Sequence, residues 1–252
     1  MMRKKIAAIA VAALTVVSML SGCGSSGQSG AQSGGTLTVG TDATFQPFEY
    51  QENGKYKGFD IDLMQAMAKK AGYEKVEWVN TAFKGLIPGL LSKKFDVAAS
   101  AIYITPERQQ QIDFTNTYYP GGLAIMVPAG NTTVKDRSDL AGKTVAVQTG
   151  TKSVEWLKQN EPQAKIVEVE SNSEMFLQVA SGKSDVAVTG KPAAKAYAKT
   201  NPKVKVIDKT LTTEEYGFGV RKEDSQLKEK LNKALKDVKA DGEYDKIMAK
   251  YF

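Results

Sequence analysis

Lys94-Phe95-Asp96-Val97-Ala98 returns later in the chain as Lys183-Ser184-Asp185-Val186-Ala187. In both places a helical pattern runs into Ser-x-Lys or Ser-Gly-Lys just before a short apolar strand. Outward from the first copy, strands are expected over 36–40, 75–79 and 95–99. They alternate with helices over 60–71 and 86–91. Ile61, Met64, Met67, Ala68 and Ala71 fall on one helical face, and Gly72 ends that helix. Outward from the second copy the order repeats. Strands over 143–148, 166–169 and 184–188 alternate with helices over 154–159 and 175–181. The doubled strand–helix–strand order predicts two α/β lobes, each built on a mainly parallel sheet.

Two extended segments connect the halves. One covers 118–128 and contains Gly121 and Gly122; the other covers 216–220. Two connections between two lobes make a hinge. The expected division is a first lobe of 36–120 and 217–252, and a second lobe of 121–216. Leu227, Leu231, Ala234, Leu235 and Val238 give the C-terminal segment an amphipathic helix over 227–238, with a last helical piece over 245–252.

The N-terminal segment reads as an address. Arg3, Lys4 and Lys5 precede an apolar run over 6–20, then Ser21, Gly22 and Cys23. A basic region, an apolar region and small residues at a cut site make a secretory signal over 1–22. The apolar run is short for a spanning helix, which needs about 20 residues. Leu20-Ser21-Gly22-Cys23 looks like a bacterial lipobox, which makes Cys23 the expected lipidation site. Residues 24–35 are Gly, Ser, Gln and Ala, a flexible tether that completes a linker of 23–35.

Composition removes much chemistry. The 252 residues contain no histidine, and Cys23 is the one cysteine. Ser-His-Asp and Cys-His sites, His-bearing zinc or iron sites and intrachain disulfides are therefore excluded. No metal and no cofactor is expected. The net charge of +6 falls to +3 once the three basic residues of the signal are removed. So small a charge does not argue for nucleic acid.

In folds of this class ligands sit beyond the carboxyl ends of strands. Those ends fall at 41–45, 100–103, 148–153 and 189–191. They bring Asp42, Phe45, Ser100, Ala101, Tyr103, Gln148, Thr151, Lys152 and Gly190 into consideration. Arg108 follows the second of them, and its guanidinium suits a carboxylate through two parallel hydrogen bonds. The 149–153 turn lies between a strand and a helix, where backbone N–H groups face an anion or simply open the helix. Asp42 is either an acceptor for a ligand amide or ammonium, or a turn cap. Phe45 and Phe83 either sandwich a ligand stem or fill the core.

A longer set of motifs resembles the polar amino-acid-binding proteins of ABC importers, the family 3 extracellular solute-binding proteins. Thr41-Asp42-Ala43-Thr44-Phe45-Gln46-Pro47-Phe48-Glu49-Tyr50 is similar to their opening motif, and Gly58-Phe59-Asp60-Ile61-Asp62-Leu63 to the next. Gly85-Leu86-Ile87-Pro88-Gly89-Leu90 and Phe95-Asp96-Val97-Ala98 continue it. Ile104-Thr105-Pro106-Glu107-Arg108, followed by Ile112-Asp113-Phe114-Thr115, is the most specific match. Asp139-Leu140-Ala141-Gly142-Lys143 and Val147-Gln148-Thr149-Gly150-Thr151 extend it, so that it covers 36–252.

The resemblance implies an α/β, two-lobed periplasmic-binding-protein-like fold with two hinge strands. It implies capture of a polar or basic amino acid, or a related zwitterion, by lobe closure and delivery to ABC permease subunits. The protein would be a monomer, held by its lipid anchor on the extracytoplasmic face of the membrane. Arg108 is implied to hold the α-carboxylate, with backbone N–H groups near Thr151 and Lys152. Phe45 and Phe83 are implied to flank the side chain, Asp42 to meet its end, and Ser100 and Ala101 to touch the ligand through the main chain.

Two positions depart from the family. Gly190 stands where an Asp usually pairs with the ligand α-ammonium, and Tyr103 where Ser or Thr is common. Three outcomes are open: Glu214, Glu215 or Asp42 substitutes as the acid; the Tyr103 hydroxyl and backbone carbonyls suffice; or the ligand is a betaine- or ectoine-like solute without an ordinary α-ammonium. A dehydratase of the cyclohexadienyl type on the same scaffold, with Asp42 as its acid, is the alternative to a receptor.

Overall fold

The structure, a computed structural model, describes residues 34–252. The secretory signal, the lipobox with Cys23 and nearly all of the linker lie outside the described residues. The chain opens with β1 (Thr36–Thr41), then a small antiparallel sheet of β2 (Thr44–Phe45), β3 (Glu49–Glu52) and β4 (Lys55–Lys57). Next come α1 (Phe59–Lys70), β5 (Lys75–Asn80), α2 (Leu86–Leu91), β6 (Val97–Ala98), α3 (Pro106–Gln109), β7 (Asp113–Phe114) and β8 (Tyr119–Pro120). The second half contains β9 (Leu123–Pro128), β10 (Thr144–Gln148), α4 (Lys152–Asn160), β11 (Lys165–Val169), α5 (Asn172–Ala180), β12 (Val186–Gly190), α6 (Lys191–Thr200) and β13 (Val204–Val206). The chain then returns through β14 (Glu215–Tyr216) and β15 (Gly219–Val220) to α7 (Ser225–Ala240) and α8 (Glu243–Tyr251).

Two five-stranded sheets result, with orders β5-β1-β6-β15-β7 and β11-β10-β12-β9-β13. In each sheet the first three strands run parallel, the fourth (β15 or β9) runs antiparallel to them, and the fifth (β7 or β13) pairs antiparallel with the fourth. The sequence echo has a physical role in this arrangement. Asp96 accepts hydrogen bonds from the Thr38 N–H (3.2 Å) and hydroxyl (2.6 Å). Asp185 accepts from the same two groups of Thr144, both at 2.7 Å. In each lobe the repeated aspartate ties the strand it precedes, β6 or β12, to its parallel neighbour, β1 or β10.

Between the sheets, β8 pairs antiparallel with β14. The close crossing explains the glycines there. A Cβ on Gly121 would lie 2.4 Å from the Tyr103 ring, and one on Gly122, at φ +96°, 2.5 Å from the Thr212 carbonyl oxygen. The apolar stripe of α7 is buried at Leu227, Leu231, Ala234, Leu235 and Val238, against α1 and α8.

Three local expectations change. The strand expected over 95–99 is only Val97–Ala98, because the Phe95 ring turns across the backbone of Gly40 and Gly89. The helix expected from 175 begins at Asn172, where the Ser171 hydroxyl accepts from the Glu174 N–H at 3.2 Å. Residues 191–200, left unassigned by the sequence reading, form α6 with Pro192 in its first turn.

Candidate functional site

The strand ends converge on a cavity lined from both lobes. Phe45, Phe83, Ser100, Ala101, Tyr103, Gln148, Thr151, Lys152 and Gly190 all line it. Asp42 and Arg108 sit immediately behind its wall. Ser153 and Thr189, within the expected strand ends, also line it, and Glu49, Leu123, Asn172 and Tyr216 complete the lining from outside them.

Arg108 is placed by a capped turn. Thr105 accepts from the Arg108 N–H at 3.3 Å, and Pro106 fixes the first helical position. The guanidinium is buried; its Nη1 donates to the Tyr103 carbonyl at 3.0 Å and its Nη2 to the Gly150 carbonyl of the second lobe at 3.3 Å. It lies 5.5 Å from the centre of the Phe83 ring. Burial lowers its pKa, yet an arginine remains cationic in a protein.

The opposing second-lobe wall is the turn into α4. Gly150 takes φ +78° and its backbone packs on Lys84 of the first lobe, where a Cβ would meet Lys84 at 2.9 Å. The Thr151 hydroxyl donates to the Gln148 carbonyl at 2.7 Å, which turns the chain into the helix. The first N–H groups of α4, from Lys152 and Ser153, have no partner within the helix. Lys152 and Ser153 both line the cavity, so this end of it is electropositive.

Asp42 is committed to the protein. Its Oδ1 accepts from the Thr44 hydroxyl at 2.9 Å; its Oδ2 accepts from the Phe83 N–H at 3.1 Å and from Gln148 Nε2 at 2.5 Å. Burial raises its pKa while these bonds oppose the rise. The candidate acid of the dehydratase reading therefore holds the cleft together instead of facing into it.

Glu49 is the carboxylate that the sequence reading missed. It is fully buried and lines the cavity. Its Oε1 accepts from the Ser100 hydroxyl at 2.9 Å, and its Oε2 has no hydrogen-bond partner among the described residues. Burial first, and then the neighbouring Asp60, push its pKa well above the ordinary carboxylate range. Asp60 itself is pushed up to about 7 by burial; it accepts from the Ala101 N–H (2.8 Å) and the Tyr118 hydroxyl (2.7 Å). The signal for Glu49 was its place in a motif already quoted, four residues beyond Phe45.

Gly190 closes the second-lobe wall. A Cβ there would lie 2.5 Å from the Tyr216 hydroxyl, 3.1 Å from Phe45 and 3.4 Å from the Tyr103 hydroxyl. The two phenols are hydrogen-bonded, with Tyr216 donating to Tyr103 at 3.2 Å. The departures at Gly190 and Tyr103 are thus one change. Phenols occupy the volume that a side chain at 190 would need. Of the proposed substitute acids, Glu215 is exposed, and neither Glu214 nor Glu215 lines the cavity. Among the described residues no cluster of metal-ligating side chains occurs, and no helix is long and apolar enough to cross a membrane.

Residues 37–252 match the profile of the bacterial extracellular solute-binding proteins, family 3. The chain is 36% identical to the "Arginine-binding extracellular protein ArtP" of Bacillus subtilis (strain 168), over 100% of this chain and 98% of the relative. It is 37% identical to a "Probable histidine-binding protein" of Campylobacter jejuni, over 86% of this chain and 84% of the relative. Its fold superposes on "An ancestral arginine-binding protein bound to glutamine" with a TM-score of 0.82 and 47% identity, covering 86% of this chain and 98% of that one. These relatives carry the names of binding proteins, not of enzymes. A two-lobed α/β body, a cavity at the strand ends of both lobes and a profile match over 37–252 agree: the chain belongs to the bacterial extracellular solute-binding proteins of family 3.

Proposed function

We propose that the chain captures a polar or basic amino acid between its lobes and hands it to the permease of an ABC importer. The observation that carries this reading is the charge layout of the cavity. Lys152 and the start of α4 make part of the lining positive, with Arg108 behind it, and Glu49 contributes a carboxyl to the lining. That polarity complements a zwitterion. The relatives named for arginine, histidine and glutamine support an amino acid as the solute.

The mechanism is hinged closure. A ligand that touches both lobes binds the closed state better and shifts the population toward it. The β8–β14 ribbon is the hinge about which the lobes turn. Acylation at Cys23 would hold the body outside the membrane through the polar tether, as a monomer beside the permease.

A thermal-shift panel of the twenty amino acids tests the reading. A ligand at 100 times its Kd stabilises the fold by about 2.7 kcal/mol. A raised midpoint with arginine, histidine or glutamine is expected. A shift with betaine- or ectoine-like solutes alone would reassign the ligand class.

A further inference from the structure

We infer that Glu49 supplies the countercharge for the α-ammonium of the captured amino acid, so that both charged grips on the ligand belong to the first lobe. The inference rests on the amino-acid reading above and identifies which residue completes the site.

Three observations converge. The second-lobe wall at Gly190 has no room for an acidic side chain, because the Tyr216 hydroxyl stands 2.5 Å from the Cβ position. The Tyr103–Tyr216 pair that fills this volume is neutral, with both pKa values raised by burial. Glu49 lines the cavity, is fully buried and carries an oxygen without a partner. A buried polar atom left unpaired is destabilising. A ligand ammonium placed on it recovers that cost.

Location fits as well. The Ser100 hydroxyl that bonds Glu49 belongs to the loop that also carries Tyr103, whose carbonyl holds Arg108. A carboxylate on Arg108 therefore brings its α-amine along the Ser100–Tyr103 wall toward Glu49. The second lobe then adds Lys152, hydroxyls and backbone groups, and closes over a ligand already gripped at both charges.

The test is isothermal titration with L-arginine and with 5-guanidinopentanoate, the same molecule without its α-amine. Glu49→Gln keeps the acceptor for Ser100 and the side-chain volume. It should weaken arginine about tenfold or more while changing the deaminated acid less than about threefold. Equal losses for both ligands, or no loss for arginine, would overturn the inference. Failure of the unsubstituted protein to bind any amino acid would overturn the receptor reading instead.

Proton release gives a second readout if the deaminated acid binds too weakly to titrate. Glu49 faces Asp60, Asp42, Tyr118 and Tyr216, with Tyr103, Lys152 and Arg108 around the same cavity. Burial disfavours its ionised form in the empty cleft, and a ligand ammonium favours that form. Arginine binding should then be linked to proton release, read as a dependence of the binding heat on the buffer, in the unsubstituted protein and not in Glu49→Gln. Identical proton release in both would count against Glu49.

Discussion

Gln148 Nε2 donates to Asp42 Oδ2 at 2.5 Å, joining the end of β10 in the second lobe to the end of β1 in the first. The bond belongs to a closed ring. Gln148 Oε1 accepts from Asn172 Nδ2 at 2.7 Å, the Asn172 N–H donates to the Thr44 hydroxyl at 3.2 Å, and Thr44 donates back to Asp42 at 2.9 Å. The ring crosses between lobes twice, so each crossing makes the other geometrically easier. Gln148→Ala breaks it and strips Asp42 of one donor. The expected cost to the closed state is about 1–3 kcal/mol. Small-angle scattering should report a larger radius of gyration at subsaturating ligand, and an unchanged radius would show that the ring does not hold the lobes.

In the proposed reading Arg108 grips the ligand carboxylate. Arg108→Ala should weaken any carboxylate ligand about tenfold or more, and Arg108→Lys should restore little of it, since a lysine lacks the planar fork. Calorimetry on both variants checks this. An amidated ligand should be indifferent to either substitution.

Gly190 and Tyr216 should behave as a coupled pair. Gly190→Ala alone forces its new methyl against the Tyr216 hydroxyl and should weaken ligand binding. Tyr216→Phe removes the clashing oxygen and should absorb most of that loss, giving a coupling of about 0.5–3 kcal/mol in a double-mutant cycle. Additive effects would mean that the phenol moves aside freely.

The buried acids set a pH dependence of unusual sign. Asp60 has its folded pKa raised to about 7 from 3.8. The folded state therefore binds more protons than the unfolded state between these values. Stability is greatest below pH 4 as far as this group is concerned and falls as pH rises toward 7, then levels. The surface acids with lowered pKa values, Asp136, Asp139, Asp185 and Asp241, act oppositely, but their contribution is complete above about pH 4. Between pH 5 and 8 the melting temperature of the ligand-free protein should fall, and the slope should flatten in Asp60→Asn.

Most of the fold was legible because its signals are local. Alternation, helical spacing and the echo around Asp96 and Asp185 each occupy a few neighbouring residues. The α6 helix was missed although Ala193, Ala194 and Tyr197 carry helical spacing behind Pro192. The β3–β4 hairpin was missed although Asn53-Gly54, both at positive φ, is a strong turn signal. The site divides along the same line. Arg108, Phe45 and Phe83 stand in motifs that announce them. Glu49 draws its importance from Ser100 and Asp60, which lie far along the chain, and Gly190 from a hydroxyl on Tyr216. Such relations exist only once the sheets have assembled.

The placement of β15 also governs the order in which the molecule can be built. It lies inside the first sheet, between β6 and β7, yet it is made near the end of the chain. The second sheet draws all its strands from 123–206 and is complete earlier. During synthesis the first lobe waits with its sheet divided until residue 220 is available, while the second lobe can already settle. A chain stopped at residue 214 should therefore retain one protease-resistant half, the one that arrived later in sequence, and leave the earlier half unfinished.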